Sequence, residues 1–147
     1  MKIPKDWREF IELLNSHGVE YLIVGAHALA FHAHPRNTGD LDVFVHRTPE
    51  NAKRVESVLR AFGFASLGIS AADIEQPDQI VQLGFVPNRI DVITSITGVA
   101  FDEAWRARVA GDLDGIPVQF IGREAFVRNK KATGRSKDLA DAAEFED

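Results

Sequence analysis

Hydrophobic positions along the chain switch between two periods. After Pro4, Trp7, Phe10, Ile11 and Leu14 recur at three- and four-residue spacing, which predicts a helix with a first-turn proline, stopped at Gly18. Tyr21-Leu22-Ile23-Val24 is a short apolar run closed by Gly25 and reads as a buried strand. Residues 26–33 are alanine-rich and predict a helix packed close to that strand, ended by Pro35. Residues 40–46 open with two carboxylates and continue as Val43-Phe44-Val45, a second strand. Thr48-Pro49-Glu50 is a helix start, with Thr48 as the cap and Val55, Leu59 and Phe62 as the buried stripe, closed by Gly63. Residues 79–85 and 89–94 flank Pro87-Asn88 and predict two strands joined by a tight turn. Residues 101–109 predict a helix with Phe101 and Trp105 on one face. Asp114-Gly115 reads as a turn, and Ile116, Val118 and Phe120 alternate as a half-buried strand. Residues 123–147 predict two helices broken near Gly134, with Ser136 capping the second. Helices alternate with strands and one hairpin interrupts them, the pattern of an α/β (α+β) domain on a mixed central sheet flanked by helices.

The chain is 147 residues long, 45% apolar, with no linker or repeat, so a single domain over residues 1–147 is expected. Without cysteine there is no disulfide framework, thiolate zinc site or cysteine nucleophile. No stretch approaches the roughly 18 apolar residues that span a bilayer, and the first ten residues do not resemble a secretory signal. A cytoplasmic protein without membrane association is expected. The net charge of −5 gives no general nucleic-acid footprint but leaves room for a local basic patch.

Asp40 and Asp42 are the most informative pair. Side chains alternate across a strand, so both point to one face with Cα atoms about 7 Å apart, while Leu41, Val43 and Val45 point into the core. Neighbouring carboxylates repel unless a cation neutralises them, and oxygen donors without cysteine favour Mg²⁺ or Mn²⁺. Asp91 lies within the apolar run Ile90-Asp91-Val92-Ile93 and needs a partner if it is ionised there. Should that strand lie beside the Asp40–Asp42 strand, the three carboxylates gather where two metals about 3.5–4 Å apart can serve an in-line displacement at phosphorus. An Asp-x-Asp also occurs in ordinary turns, and Asp91 could simply sit at a strand end. Gly25 closes a strand and opens a helix, an arrangement that offers backbone N–H groups to an anion; close strand–helix packing is the alternative reason for a glycine there. The P-loop and dinucleotide fingerprints are both absent.

Val24-Gly25-Ala26, then Asp40-Leu41-Asp42-Val43, then Asp91, resembles the signature of the nucleotidyltransferase superfamily with the polymerase-beta-like fold. Arg36-Asn37-Thr38-Gly39-Asp40-Leu41-Asp42 and the stretch from Lys131 through Arg135 and Asp138 to Asp141 resemble small bacterial nucleotidyltransferase-like proteins, some of them in abortive-infection or toxin–antitoxin systems. The resemblance implies that a nucleoside monophosphate moves from an NTP to an acceptor hydroxyl with release of pyrophosphate. Asp40 and Asp42 would hold Mg²⁺ or Mn²⁺ on the triphosphate. Asp91 would complete the metal site and help deprotonate the attacking hydroxyl. Gly25, Ala26, Arg36, Thr38, Lys131 and Arg135 are the nucleotide-binding candidates. Ala26 departs from the signature, which often has Gly or Ser there, so only its backbone N–H remains for a phosphate. No counterpart of the substrate-binding C-terminal domain of larger relatives is expected in this sequence, so a homodimer partner or cognate protein is expected to complete the acceptor pocket.

Several candidates carry two readings. Arg36 either neutralises a phosphate or pairs with an acid. Lys131 and Arg135, four apart, either contact phosphates or form salt bridges within the helices. His27, His32 and His34 lack the spacing that places two ligands on one helix face, and packed or solvated histidines are expected. The order of elements argues against a haloacid-dehalogenase-type phosphatase, whose apolar strand precedes its two aspartates. The competing reading is a catalytically degenerate nucleotide-binding or antitoxin-type module that acts through a protein partner.

Overall fold

The computed structural model describes residues 2–33, 39–85 and 87–143. Helix α1, Lys5–Ser16, buries the expected stripe of Trp7, Phe10, Ile11 and Leu14. Strand β1, Tyr21–Val24, is buried along its whole length and runs directly into α2, Gly25–His32. Strand β2 is Leu41–Val45, followed by α3, Pro49–Ala61, whose first turn Thr48 caps by accepting from the Asn51 N–H. Strands β3, Ile80–Leu83, and β4, Ile90–Ile93, form the expected antiparallel hairpin.

Two short elements between α3 and β3 are additions to the sequence reading. One is a 3₁₀ turn, Ala65–Leu67; the other is α4, Ala71–Ile74, started by a capping box between Ser70 and Asp73. Helix α5 is Phe101–Arg106, shorter than expected, because the chain turns at residues 107–108 into β5, Val109–Leu113. Sequence reasoning misses β5 for a physical reason: Gly111 and Asp112 interrupt its pattern, and only Leu113 is buried. Gly111 is required there, since a Cβ would lie 2.8 Å from both Phe120 and Phe31, whose rings stack at 4.0 Å. Strand β6, Ile116–Phe120, alternates as expected. Helices α6, Arg123–Thr133, and α7, Ser136–Ala143, are separated at Gly134, which adopts a left-handed φ of 70°. The Leu139 N–H bonds the Arg135 carbonyl, so the N-cap of α7 is Arg135 and not Ser136.

The strands form one six-stranded sheet in the order β3-β4-β2-β1-β6-β5. It is mixed: β1 pairs antiparallel with β2 and parallel with β6, and β2 pairs parallel with β4. On one face Leu41, Val43 and Val45 are buried with Ile90 and Val92. On the other, Asp42 precedes Phe44, whose ring meets Phe101 of α5 edge-on at 5.0 Å. Asn51 is buried and ties α3 to the sheet: its amide oxygen accepts from the Glu20 N–H, and its nitrogen donates to the Glu20 and His46 carbonyls. No helix among the described residues is long and apolar enough to cross a membrane.

Candidate active site

Parallel pairing of β2 with β4 puts Asp42 directly beside Asp91 in register, one strand spacing of about 4.8 Å apart. The two strands thus bring together carboxylates 49 positions apart in the chain, and Asp40 lies just ahead of β2, two residues before Asp42 on the same face. Asp91 is almost fully buried, at 9% exposure, while Asp40 and Asp42 are half-buried.

Gly25 abuts this cluster. It follows Val24, the register partner of Asp42, and takes a left-handed φ of 67°. A Cβ at this position would stand 2.2 Å from Asp42 Oδ2. The glycine therefore serves two needs: a backbone conformation that L-residues avoid, and room for the Asp42 carboxylate against the start of α2. Gly25→Ala is expected to cost about 1 kcal/mol in backbone strain and to push Asp42 aside. Calorimetric melting and a Mn²⁺ titration should register both effects together.

Electrostatics single out Asp42. Burial, then the neighbouring charges of Asp91 and Asp40, push its carboxyl up to about 6, against the partial relief of Lys130 and Arg89. Arg89, two residues before Asp91 on the same strand face, carries the charge that balances the other two. Its Nη2 donates to Asp40 Oδ2 at 2.5 Å and its Nε to Asp91 Oδ1 at 3.0 Å. With the side chains so arranged, no group of three His, Asp or Glu among the described residues stands ready to hold a metal ion. The donor set nevertheless fits a hard divalent cation: carboxylates on two adjacent strands and a third just ahead of one of them, with a guanidinium already drawn between two of the three.

The basic residues divide differently from the sequence expectation. Lys130 faces the cluster, with its side chain only 15% exposed and close enough to lower the Asp42 carboxyl. It lies 3.4 Å from Asp138 and 5.5 Å from the centre of the Phe126 ring. The signal was present in the sequence: Lys130 is four residues after Phe126, the buried side chain of α6, and so shares its inward face, whereas Lys131 is exposed. Arg135 is engaged with Asp138, donating from Nε to Oδ2 at 2.6 Å, in line with the salt-bridge alternative. Asp138 is fully buried at the α6–α7 junction and also accepts from Thr133 Oγ1 at 2.7 Å. Arg36 and Thr38 lie outside the described residues. Ala26 is the second residue of α2 and offers only backbone to a ligand. Arg89 is a site residue that the sequence pattern does not single out, although its i, i+2 relation to Asp91 in a strand marks a shared face.

His27 is buried, its ring edge-on to Trp7 at 5.0 Å, and burial lowers its pKa to about 4, so it is a neutral packed side chain. His32 bonds the Ile121 carbonyl at 2.7 Å.

The chain superimposes on a crystal structure of a provisionally assigned nucleotidyltransferase from Thermotoga maritima with a TM-score of 0.61, so its mixed sheet with flanking helices is a nucleotidyltransferase-like fold. The match covers 99% of this chain and 95% of that one at 13% sequence identity, a likeness of fold. Neither a scan against protein-family models nor a search of curated proteins finds a match.

Proposed function

We propose that the protein is a metal-dependent nucleotidyltransferase, moving a nucleoside monophosphate from an NTP to an acceptor hydroxyl. The observation that carries this reading is the in-register placement of Asp42 beside Asp91 with Asp40 on the same face, next to a glycine that opens a helix. Asp40, Asp42 and Asp91 are the residues that would hold Mg²⁺ or Mn²⁺, which on binding supplies charge neutralisation along the triphosphate. The first backbone N–H groups of α2, from Gly25 and Ala26, lie at the positive end of the helix dipole and would donate to phosphate oxygens. Lys130 adds a cation on the same side. The acceptor hydroxyl forms a new P–O bond at the α-phosphorus, the bond to pyrophosphate breaks, and the hydroxyl proton passes to Asp91. Gln82, the register partner of Asp91 on the edge strand β3, is exposed and leaves that flank open to an acceptor. Positioning and charge neutralisation supply most of the rate enhancement.

The direct experiment is to incubate the protein with each NTP, Mn²⁺ and a panel of acceptor hydroxyls while recording pyrophosphate. Release of pyrophosphate that needs both metal and acceptor is the expected result. One observation favours a second reading: Ala26 has no hydroxyl for a phosphate. A binding module built on this fold would take up NTP with Mn²⁺ yet release no pyrophosphate with any acceptor, and that outcome would set the transferase aside.

A further inference from the structure

The guanidinium of Arg89 occupies the gap between two of the three carboxylates. Nη2 lies 2.5 Å from Asp40 Oδ2 and 3.3 Å from Asp91 Oδ2, while Nε lies 3.0 Å from Asp91 Oδ1. Its side chain is 28% exposed, and bonds between a guanidinium and carboxylates are charge-assisted, stronger than those between neutral groups. Its backbone is fixed, since the Arg89 carbonyl accepts from the Leu41 N–H at 3.0 Å and continues the β2–β4 ladder. Only the long side chain is free to leave.

Resting on the reading of this cluster as a cation site, we propose that Arg89 is its resident counter-cation, a positioning residue that must release Asp40 and Asp91 before a divalent metal can bind. Two observations support it. The three aspartates are in register or on one face, yet their side chains do not form a ligating group, and the oxygens of two of them are committed to the guanidinium. An ionised carboxylate is an acceptor only, and one bonded to both Nε and Nη2 of an arginine presents the same oxygens that a metal would need. Arginine keeps its charge at every pH at which the protein is folded, so competition by another cation, not deprotonation, is what opens this contact. Arg89 thereby lowers the affinity of the empty site for free metal. A triphosphate arriving with its metal gives the freed guanidinium new oxygens to grip, so metal and nucleotide enter together.

The test is Mn²⁺ binding by the full chain, read by electron paramagnetic resonance of free Mn²⁺ without nucleotide, so that no turnover is involved. Arg89→Gln is expected to bind Mn²⁺ at least about tenfold more tightly than wild type, because a neutral amide does not compete. Arg89→Lys, whose point charge cannot fork two carboxylates, is expected to fall between them. Equal or weaker binding by Arg89→Gln overturns the proposal and leaves the cation site standing, since Arg89 would then be orienting the carboxylates for the metal. If neither wild type nor Arg89→Gln takes up Mn²⁺, the cation reading of the cluster fails and the proposal fails with it. Should Arg89→Gln not fold, as judged by circular dichroism, Arg89→Lys decides: tighter binding than wild type supports the role, and unchanged or weaker binding overturns it.

Discussion

Asp42→Asn is expected to abolish transfer while making the metal-free protein more stable above pH 6. On the proposed function the activity loss should be on the order of a thousandfold, because the variant would lose a charged donor to the metal at the point where charge develops. The stability gain follows from linkage. The Asp42 carboxyl titrates at about 6 in the folded chain against its ordinary value of 3.8. Between these two values the folded state therefore holds more protons than the unfolded one, so stability falls as pH rises through the window and the full cost is present above pH 6. That cost is about 3 kcal/mol, which an uncharged amide of the same shape avoids. His27 works the other way. With its pKa lowered by burial to about 4 against an ordinary 6.5, its contribution to stability grows as pH rises from 4 to 6.5. In wild type the two largely cancel. In Asp42→Asn the histidine is left alone, and urea midpoints should climb from pH 4 to 6.5 and then hold. Equal midpoints for variant and wild type at pH 8 would show that the carboxylates are not in electrostatic conflict.

This conflict was legible in the sequence because the strand period is short and strict. Asp40 and Asp42 had to share a face, and an aspartate between Ile90 and Val92 had to meet something polar. What alternation alone does not supply is the order of strands in the sheet. The parallel neighbourhood of β2 and β4 is set by the α3 crossover and the β3–β4 hairpin together, and only then does Asp91 fall beside Asp42. The hairpin, the Thr48 cap of α3 and the break at Gly134 were all readable, since proline, threonine and glycine act locally, although Pro4 sits one position ahead of α1 rather than in its first turn. Strand β5 was not, because its residues are chosen by the stacked rings of Phe31 and Phe120 above Gly111 rather than by their own propensity. Arg89 was hidden for a related reason, and Lys130 stood out only as one of the basic residues clustered with Lys131, Arg135 and Lys137. A long cation near a carboxylate cluster looks like any surface charge until the register shows which way it points, and the fixed offsets to Asp91 and Phe126 carry that information only once those two residues are known to face the site.

The second large effect concerns the end of the chain, where the stretch around Arg135 and Asp138 resembles a functional motif but the contacts are those of a structural joint. Asp138 is fully buried where α6 meets α7, and its carboxylate accepts from Arg135, Thr133 and Lys130. The Arg135 bond, then those of Thr133 and Lys130, hold its carboxyl well below the ordinary carboxylate range despite burial. Removing it strands Lys130, itself mostly covered, without its nearest counter-charge. Asp138→Ala is therefore expected to cost about 3 kcal/mol, the loss typical when one partner of a buried ion pair is deleted. The pH dependence has a definite sign. A carboxyl depressed in the folded state adds stability that is complete above its ordinary value of 3.8 and drains away as the solution is made more acidic. Wild type should thus lose stability below pH 4 more steeply than Asp138→Ala. The variant also separates joint from site: assayed well below its melting temperature, a purely structural Asp138 leaves the KM for nucleotide unchanged. If Asp138 also aims Lys130 at the carboxylate cluster, KM rises and Lys130→Met reproduces the rise without the full loss of stability. A melting curve for Asp138→Ala that overlays wild type would remove the joint as a source of stability and return Arg135 to the list of residues free to meet a phosphate.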